Sequence, residues 1–203
     1  MGNLPELLPN SGYHPLTGVI LAGGASRRMG GQDKGLVEFR GRPLVEWVAE
    51  ALAPQVDELI IIANRNLDAY RALGFAVFSD LRPDFPGPLA GFEAALTHAR
   101  HPWMVTCPTD APLLPADYVS RLCQACPNTP AVAIIDGRPQ PVFSLLPRSA
   151  LPALSAGLDA GTRKVQSWLA TLNPTQIPFD DCAQQMRDAD SPEDLRALDK
   201  AGC

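Results

Sequence analysis

The sequence predicts a single α/β domain, a Rossmann-like three-layer sandwich around a mostly parallel sheet. Three observations carry that expectation. From Thr17 to Cys126, strand-like apolar runs alternate with segments of helical period, the pattern of successive βαβ units. The run ELIIIAN, from Glu58 to Asn64, is continuously apolar at its centre, as a strand covered on both faces must be. The chain has 203 residues, 46% of them hydrophobic, which is long enough to bury roughly 70% of its unfolded surface around one core.

The elements follow in order. Residues 1–15 are rich in Pro, Gly and Asn and read as a flexible leader to a domain spanning 16–203. Thr17–Leu21 reads as a buried strand. Pro43–Gln55 carries apolar residues at helical spacing, with Pro43 suited to a first turn and Pro54 to a stop. Glu58–Asn64 is the second strand and Phe75–Asp80 the third. Gly87–Arg100 is a helix, Trp103–Asp110 a fourth strand, and Pro115–Cys126 another helix. AVAIID and PVFSLL form two strands around the turn signal Asp136-Gly137. Helices near Ser149–Gly157 and Arg163–Thr171 follow, then a short strand TQIPF. A last helix is capped by Ser191 with Pro192 at its first position.

Composition excludes several classes. The net charge of −5 disfavours wrapping nucleic acid or lying on an anionic membrane, so any bound anion needs a local basic site. No run reaches the ~18 apolar residues of a membrane span. The opening MGNLPELLPN lacks a basic stretch before an apolar one, and five cysteines, an odd number, suit a reducing compartment. A cytoplasmic protein is expected. Cys123 and Cys126 form C-x-x-C without the second pair that a zinc site requires, so packed helix thiols are the plain reading. His14, His98 and His101 fall on the leader and a helix end, where no histidine triad assembles.

In a parallel sheet, ligands sit beyond the carboxyl ends of the strands. Three groups fall there: Asp80, Asp110 and the loop LAGGASRRMGGQDK, from Leu21 to Lys34. The loop is not a P-loop, because Lys34 is followed by Gly35 rather than Ser or Thr, and it is not the G-x-G-x-x-G dinucleotide fingerprint. Nor is it a nucleophile elbow, since Ser26 is flanked by Ala25 and Arg27. Its chemistry is still that of anion binding. Gly23 and Gly24 allow close backbone approach. Arg27 and Arg28 can bond phosphate bidentately, and Lys34 adds a mobile point charge.

The stretch closely resembles the signature of the molybdenum cofactor guanylyltransferases. GRPLVEWVAEAL, IIIANRN, FSDLRPDFPGPLAG and CPTDAPLLP continue the likeness in the same order, covering 17–115 strongly and the rest more weakly. The resemblance implies a nucleotidyltransferase of the GT-A-like type. Such an enzyme transfers GMP from GTP to molybdopterin or its molybdenum-loaded form, with Mg²⁺ as cofactor. It also implies a nucleotide-binding half over about 16–115 and a pterin-substrate half over about 116–203. Leu21, Ala22, Gly23 and Gly24 would hold GTP, with Lys34 on its phosphates and Asp80 at the nucleoside. Asp110 would ligate Mg²⁺, and Asp110, Lys34 and Arg28 would carry catalysis. Gly87, Pro88, Leu89 and Gly91 would form the loop between the two substrates. Arg28, Gly31, Gly87, Gly91, Asp188 and Asp190 are the expected pterin contacts. A monomer is expected, with molybdoenzymes or their chaperones as acceptors of the product. Two departures stand out: Ile62 replaces an asparagine found in some relatives, with Asn64 two residues on, and Asp188 and Asp190 replace asparagines. A cytidylyl- or sugar-phosphate nucleotidyltransferase of the same fold stays open, as does a nucleotide-binding module without catalysis. Gly23-Gly24 and Asp33-Lys34 favour the guanylyl branch.

Overall fold

Strand β1, Leu16–Leu21, lies inside the sheet, and both its faces are covered: Val19 and Ile20, pointing opposite ways, are each fully buried. Burial of each such side chain contributes about 1.5–3 kcal/mol. The structure is a computed structural model that describes residues 15–23, 33–82, 87–124, 129–187, 189 and 192–201. The leader lies outside them apart from Pro15, as does most of the glycine loop.

Among the described residues, seven strands form one sheet. They are β1, β4 (Glu58–Ile62), β5 (Ala76–Phe78), β6 (Trp103–Pro108), β7 (Ala131–Ile135), β8 (Arg138–Pro147) and β9 (Thr175–Pro178), in the order β5-β4-β1-β6-β8-β7-β9. Pairings β4–β5, β1–β4, β1–β6 and β7–β9 are parallel, while β8 runs antiparallel to β6 and β7. A separate two-stranded hairpin pairs β2 (Glu38–Phe39) with β3 (Arg42–Pro43).

Helices cover both faces. On one, Ile20, Ile61 and Val105 meet Val45, Val48 and Leu52 of α1 (Leu44–Leu52), Tyr70 of α2 (Leu67–Ala72) and Tyr118 and Leu122 of α4 (Tyr118–Gln124). On the other, Val19, Ile60, Ile62 and Met104 meet α3 (Pro88–His98), α5 (Leu151–Asp159) and α6 (Val165–Thr171) through Leu89, Phe92, Leu154 and Trp168. Helix α7 (Pro192–Ala201) contributes Leu195 and Leu198 to a third cluster with Phe39, Leu44 and Trp47. The three-layer, mostly parallel expectation holds.

Several boundaries differ from expectation. β5 stops at Phe78 and β6 at Pro108, so Asp80 and Asp110 lie in the turns beyond their strands, not within them. α4 begins at Tyr118, three residues after Pro115, and Gln124 is its last described residue. The hairpin and α2 were not expected. The hairpin turns at Arg40 and Gly41, both at positive φ, the geometry of a tight primed turn without its usual Asn-Gly signal.

Candidate active site

Chain connectivity creates the site. From β1 the chain passes to β4 and β5 on one side, then crosses through α3 to β6 on the other. The carboxyl ends of β1, β4, β5 and β6 therefore face a switch point, where a crevice opens. A cleft of about 720 Å³ lies there. Leu21, Ala22 and Gly23 line it from the end of β1, and Ile62, Asn64 and Arg65 from the end of β4. Asp80 enters beyond β5, Thr109 and Asp110 beyond β6, and Asp33 with Lys34 from the end of the glycine loop. Gly87, Pro88 and Gly91 close one side. Nine of the residues expected at the substrates are thus brought together: Leu21, Ala22, Gly23, Lys34, Asp80, Gly87, Pro88, Gly91 and Asp110. Gly24, Arg27, Arg28, Gly31, Asp188 and Asp190 lie outside the described residues.

Asp110 and Lys34 form the charged pair of the cleft. Lys34 Nζ donates to Asp110 Oδ2 at 3.0 Å, with side chains only 22% and 12% exposed. The other oxygen, Asp110 Oδ1, is buried and accepts no hydrogen bond among the described residues. A buried carboxylate oxygen left open costs free energy unless something cationic or protic meets it. No group of three or more His, Cys, Asp or Glu side chains is placed to hold a metal among the described residues. The residues therefore fit an ion held by one carboxylate plus substrate oxygens and water, the manner in which Mg²⁺ is usually bound.

Asp80 is built differently. Asn64 Nδ2 donates to Asp80 Oδ2 at 2.8 Å, and the Asp80 backbone N–H donates to Asn64 Oδ1 at 2.9 Å. Asp80 Oδ1 is buried and unpaired among the described residues. Burial pushes this carboxyl above its ordinary value; the Asn64 bond opposes that, and the nearby Glu93 charge adds to it. A Cβ added at Gly91 would stand 3.6 Å from Leu21 Cδ2 and 3.8 Å from Asp80 Oδ1, so the glycine keeps the space beside that open oxygen clear. Ile62 contributes apolar wall, and the amide function at the end of β4 comes from Asn64. The spacing IIIANRN held that signal, since Asn64 is the first polar side chain past the strand.

Other placements refine the expectation. Pro88, Leu89 and Gly91 are not on a loop: α3 begins at Pro88, and only Gly87 precedes it, at φ 93°, a conformation that favours glycine. Leu89 is fully buried in the core rather than in the cleft. Arg65 lines the cleft as a cation the sequence had not singled out. Val142 reaches it from β8, where pairing with β7 shifts between Val132↔Ser144 and Ala133↔Gln140. Such bulges re-aim side chains next to binding sites. Lys34 and Arg65 face three carboxylates here, Asp33, Asp80 and Asp110. His98 stacks on Phe78, 3.9 Å between ring centroids, away from this chemistry. Burial raises the Cys123 thiol, opposite to a reactive thiol; Cys126 lies outside the described residues. No helix of the described residues is long and apolar enough to cross a membrane.

Comparison with known proteins adds the family. The model of the MobA-like NTP transferase domain matches residues 18–176. The chain is 48% identical to the molybdenum cofactor guanylyltransferase of Cupriavidus necator over 176 residues, 83% of this chain and 88% of that one. It is 45% identical to the protein of that name from Bordetella pertussis over 190 residues, 90% and 96% of the two chains. Among solved structures, it resembles molybdopterin-guanine dinucleotide biosynthesis protein A from Archaeoglobus fulgidus, with TM-score 0.74 and 23% identity over 92% of this chain and 98% of that one. It also resembles the 2-C-methyl-D-erythritol 4-phosphate cytidylyltransferase of Thermus thermophilus, with TM-score 0.68 and 15% identity over 91% and 97%. At those identities the structural likenesses speak for the fold alone.

Proposed function

This chain belongs to the molybdenum cofactor guanylyltransferase family of MobA-like nucleotidyltransferases, and we propose that its cleft transfers GMP from GTP to molybdopterin. The observation that carries the reading is the division of the cleft: a Lys34–Asp110 pair beyond β6 and an Asp80–Asn64 pair beyond β5 and β4. β5 and β6 are three strand spacings apart, roughly 14 Å. A nucleoside triphosphate spans such a distance, with its base toward Asp80 and its phosphates toward Lys34.

In the reaction, a phosphate oxygen of the pterin substrate forms a bond to the α-phosphorus of GTP. The bond from that phosphorus to the bridging oxygen breaks, and pyrophosphate leaves. Two polyanions meet, so the site must neutralise charge and align the reactants. The expected protein cations are Lys34 and Arg65 from the cleft and Arg28 from the glycine loop. Against three lining carboxylates, these leave the triphosphate short of positive charge. Mg²⁺, held by Asp110, supplies that neutralisation when bound. Leu21, Ala22 and Gly23 offer backbone groups at close range, and Asp80 Oδ1 accepts from a base edge that donates. Guanine carries two adjacent donors on its pairing edge; cytosine and adenine present one donor beside an acceptor. The test is turnover with each of the four nucleoside triphosphates, Mg²⁺ and molybdopterin, followed by pyrophosphate release and product mass. GTP should be preferred by a factor approaching ~10⁴. Equal rates with CTP would overturn the guanine assignment.

A further inference from the structure

We propose that Tyr70 and Asp33 form a latch that positions Lys34, with Asp33 serving as an anchor and not as a second metal ligand. The proposal rests on the reading of the cleft as a nucleotidyl-transfer site.

Tyr70 sits on α2 and is fully buried. A buried phenol must find its acceptor inside the protein. Its hydroxyl donates to Asp33 Oδ1 at 2.6 Å. Asn66 Nδ2, in the turn before α2, donates to the other oxygen, Asp33 Oδ2, at 3.1 Å. Both carboxylate oxygens are thus held by one short segment, although Asp33 lines the cleft. Turning Asp33 away from α2 toward the cleft would strand the buried Tyr70 hydroxyl without its acceptor.

What the latch holds is the backbone of the next residue. Asp33 precedes the one-turn 3-10 helix Lys34–Leu36, and its carbonyl accepts from Leu36 N–H at 3.0 Å. Gly35 is wedged beneath: a Cβ there would stand 2.5 Å from the Tyr70 hydroxyl and 3.1 Å from Thr109 Cγ2. Thr109 neighbours Asp110. The root of Lys34 is therefore pinned between Tyr70 and the turn carrying its ion-pair partner. A long, flexible ammonium arm is useful to a triphosphate only when its origin is fixed. Tyr70 and Asp33 are positioning residues, acting through Lys34.

The experiment is a double-substitution cycle on the full chain. Tyr70→Phe should lower kcat about 10- to 100-fold, with KM for GTP changing less. In the Lys34→Ala background the same change should alter kcat by less than about twofold, because its effect runs through the lysine. Equal losses in both backgrounds would overturn the proposal. Asn66→Gly, which keeps the positive φ of 50° accessible, should give a smaller loss with the same dependence on Lys34. A readout without substrate separates the latch from the reaction. Competitive acetylation, read by mass spectrometry against the exposed Lys164, should show Lys34 several times more reactive in Tyr70→Phe. An unchanged Lys34-to-Lys164 ratio would overturn the latch even in an active enzyme. Absence of GMP transfer by the parent protein would overturn the reading of the site while the acetylation ratio still decides the latch.

Discussion

Asp80 and Asp110 occupy matching places, each two residues past the end of a parallel strand, yet their surroundings differ. Asp110 faces a cation at 3.0 Å. Asp80 faces a neutral amide at 2.8 Å, and the like charge of Glu93 acts on it. Each keeps one buried oxygen open. The residue type and its position on the sheet therefore do not decide the role; the neighbour does. On the proposed reading, the carboxylate beside an ammonium serves the phosphate end, and the one held by an amide reads the donors of a base.

Substitutions that exchange these surroundings test the contrast, and the largest effect is expected at Asp110. Asp110→Ala should cut transfer by about 10²–10³-fold, with the far-ultraviolet circular dichroism unchanged. Full turnover at saturating Mg²⁺ would break the assignment. Asp80→Asn should act on selectivity: the GTP preference should fall by about 10- to 100-fold, with little change in the rate for the poorer nucleotide. It also carries a stability signature. A carboxyl raised by burial contributes most below its ordinary value of 3.8 and loses that contribution as pH rises through its folded value. Asp80→Asn should therefore raise Tm at pH 7 and lose that gain in acid. A Tm difference independent of pH would show that Asp80 is not disfavoured as an anion.

The smallest effect concerns Glu93, buried on α3. Arg82 donates to both its oxygens, at 2.7 and 2.8 Å, and Ser155 to one. The Arg82 guanidinium holds this carboxyl below its ordinary value against the opposing pull of burial. The sign is opposite to that of Asp80. The contribution is present above pH 4.5 and is lost as pH falls through the folded value. Glu93→Gln should lower Tm at pH 7, and the deficit should shrink in acid; a constant deficit would point to packing instead.

The four strands bearing the site were legible because they alternate with segments of helical period, and the ends of β4, β5 and β6 are marked by Asn64, Asp80 and Asp110. What could not be read was pairing across distance. Asn64 with Asp80 and Tyr70 with Asp33 join residues 16 and 37 positions apart, which no local pattern encodes. Helix α2 was hidden for a related reason. It has six residues, follows Asn66 in a left-handed conformation, and buries Tyr70 alone, too few positions to show a period.

The brevity of α2 has a thermal consequence. Isolated helices shorter than ~12–15 residues are marginal in water, so this one is held mainly by the aromatic side chain it buries. Segments of this kind open at lower free energy than the sheet they lean on. On warming, the helix should fray first, freeing the lysine it anchors while the core stays shut. Turnover would then fail reversibly below the melting temperature, and amide exchange at 67–72 would rise ahead of that in β1 and β6. In that interval the molecule is an intact fold that has lost its chemistry.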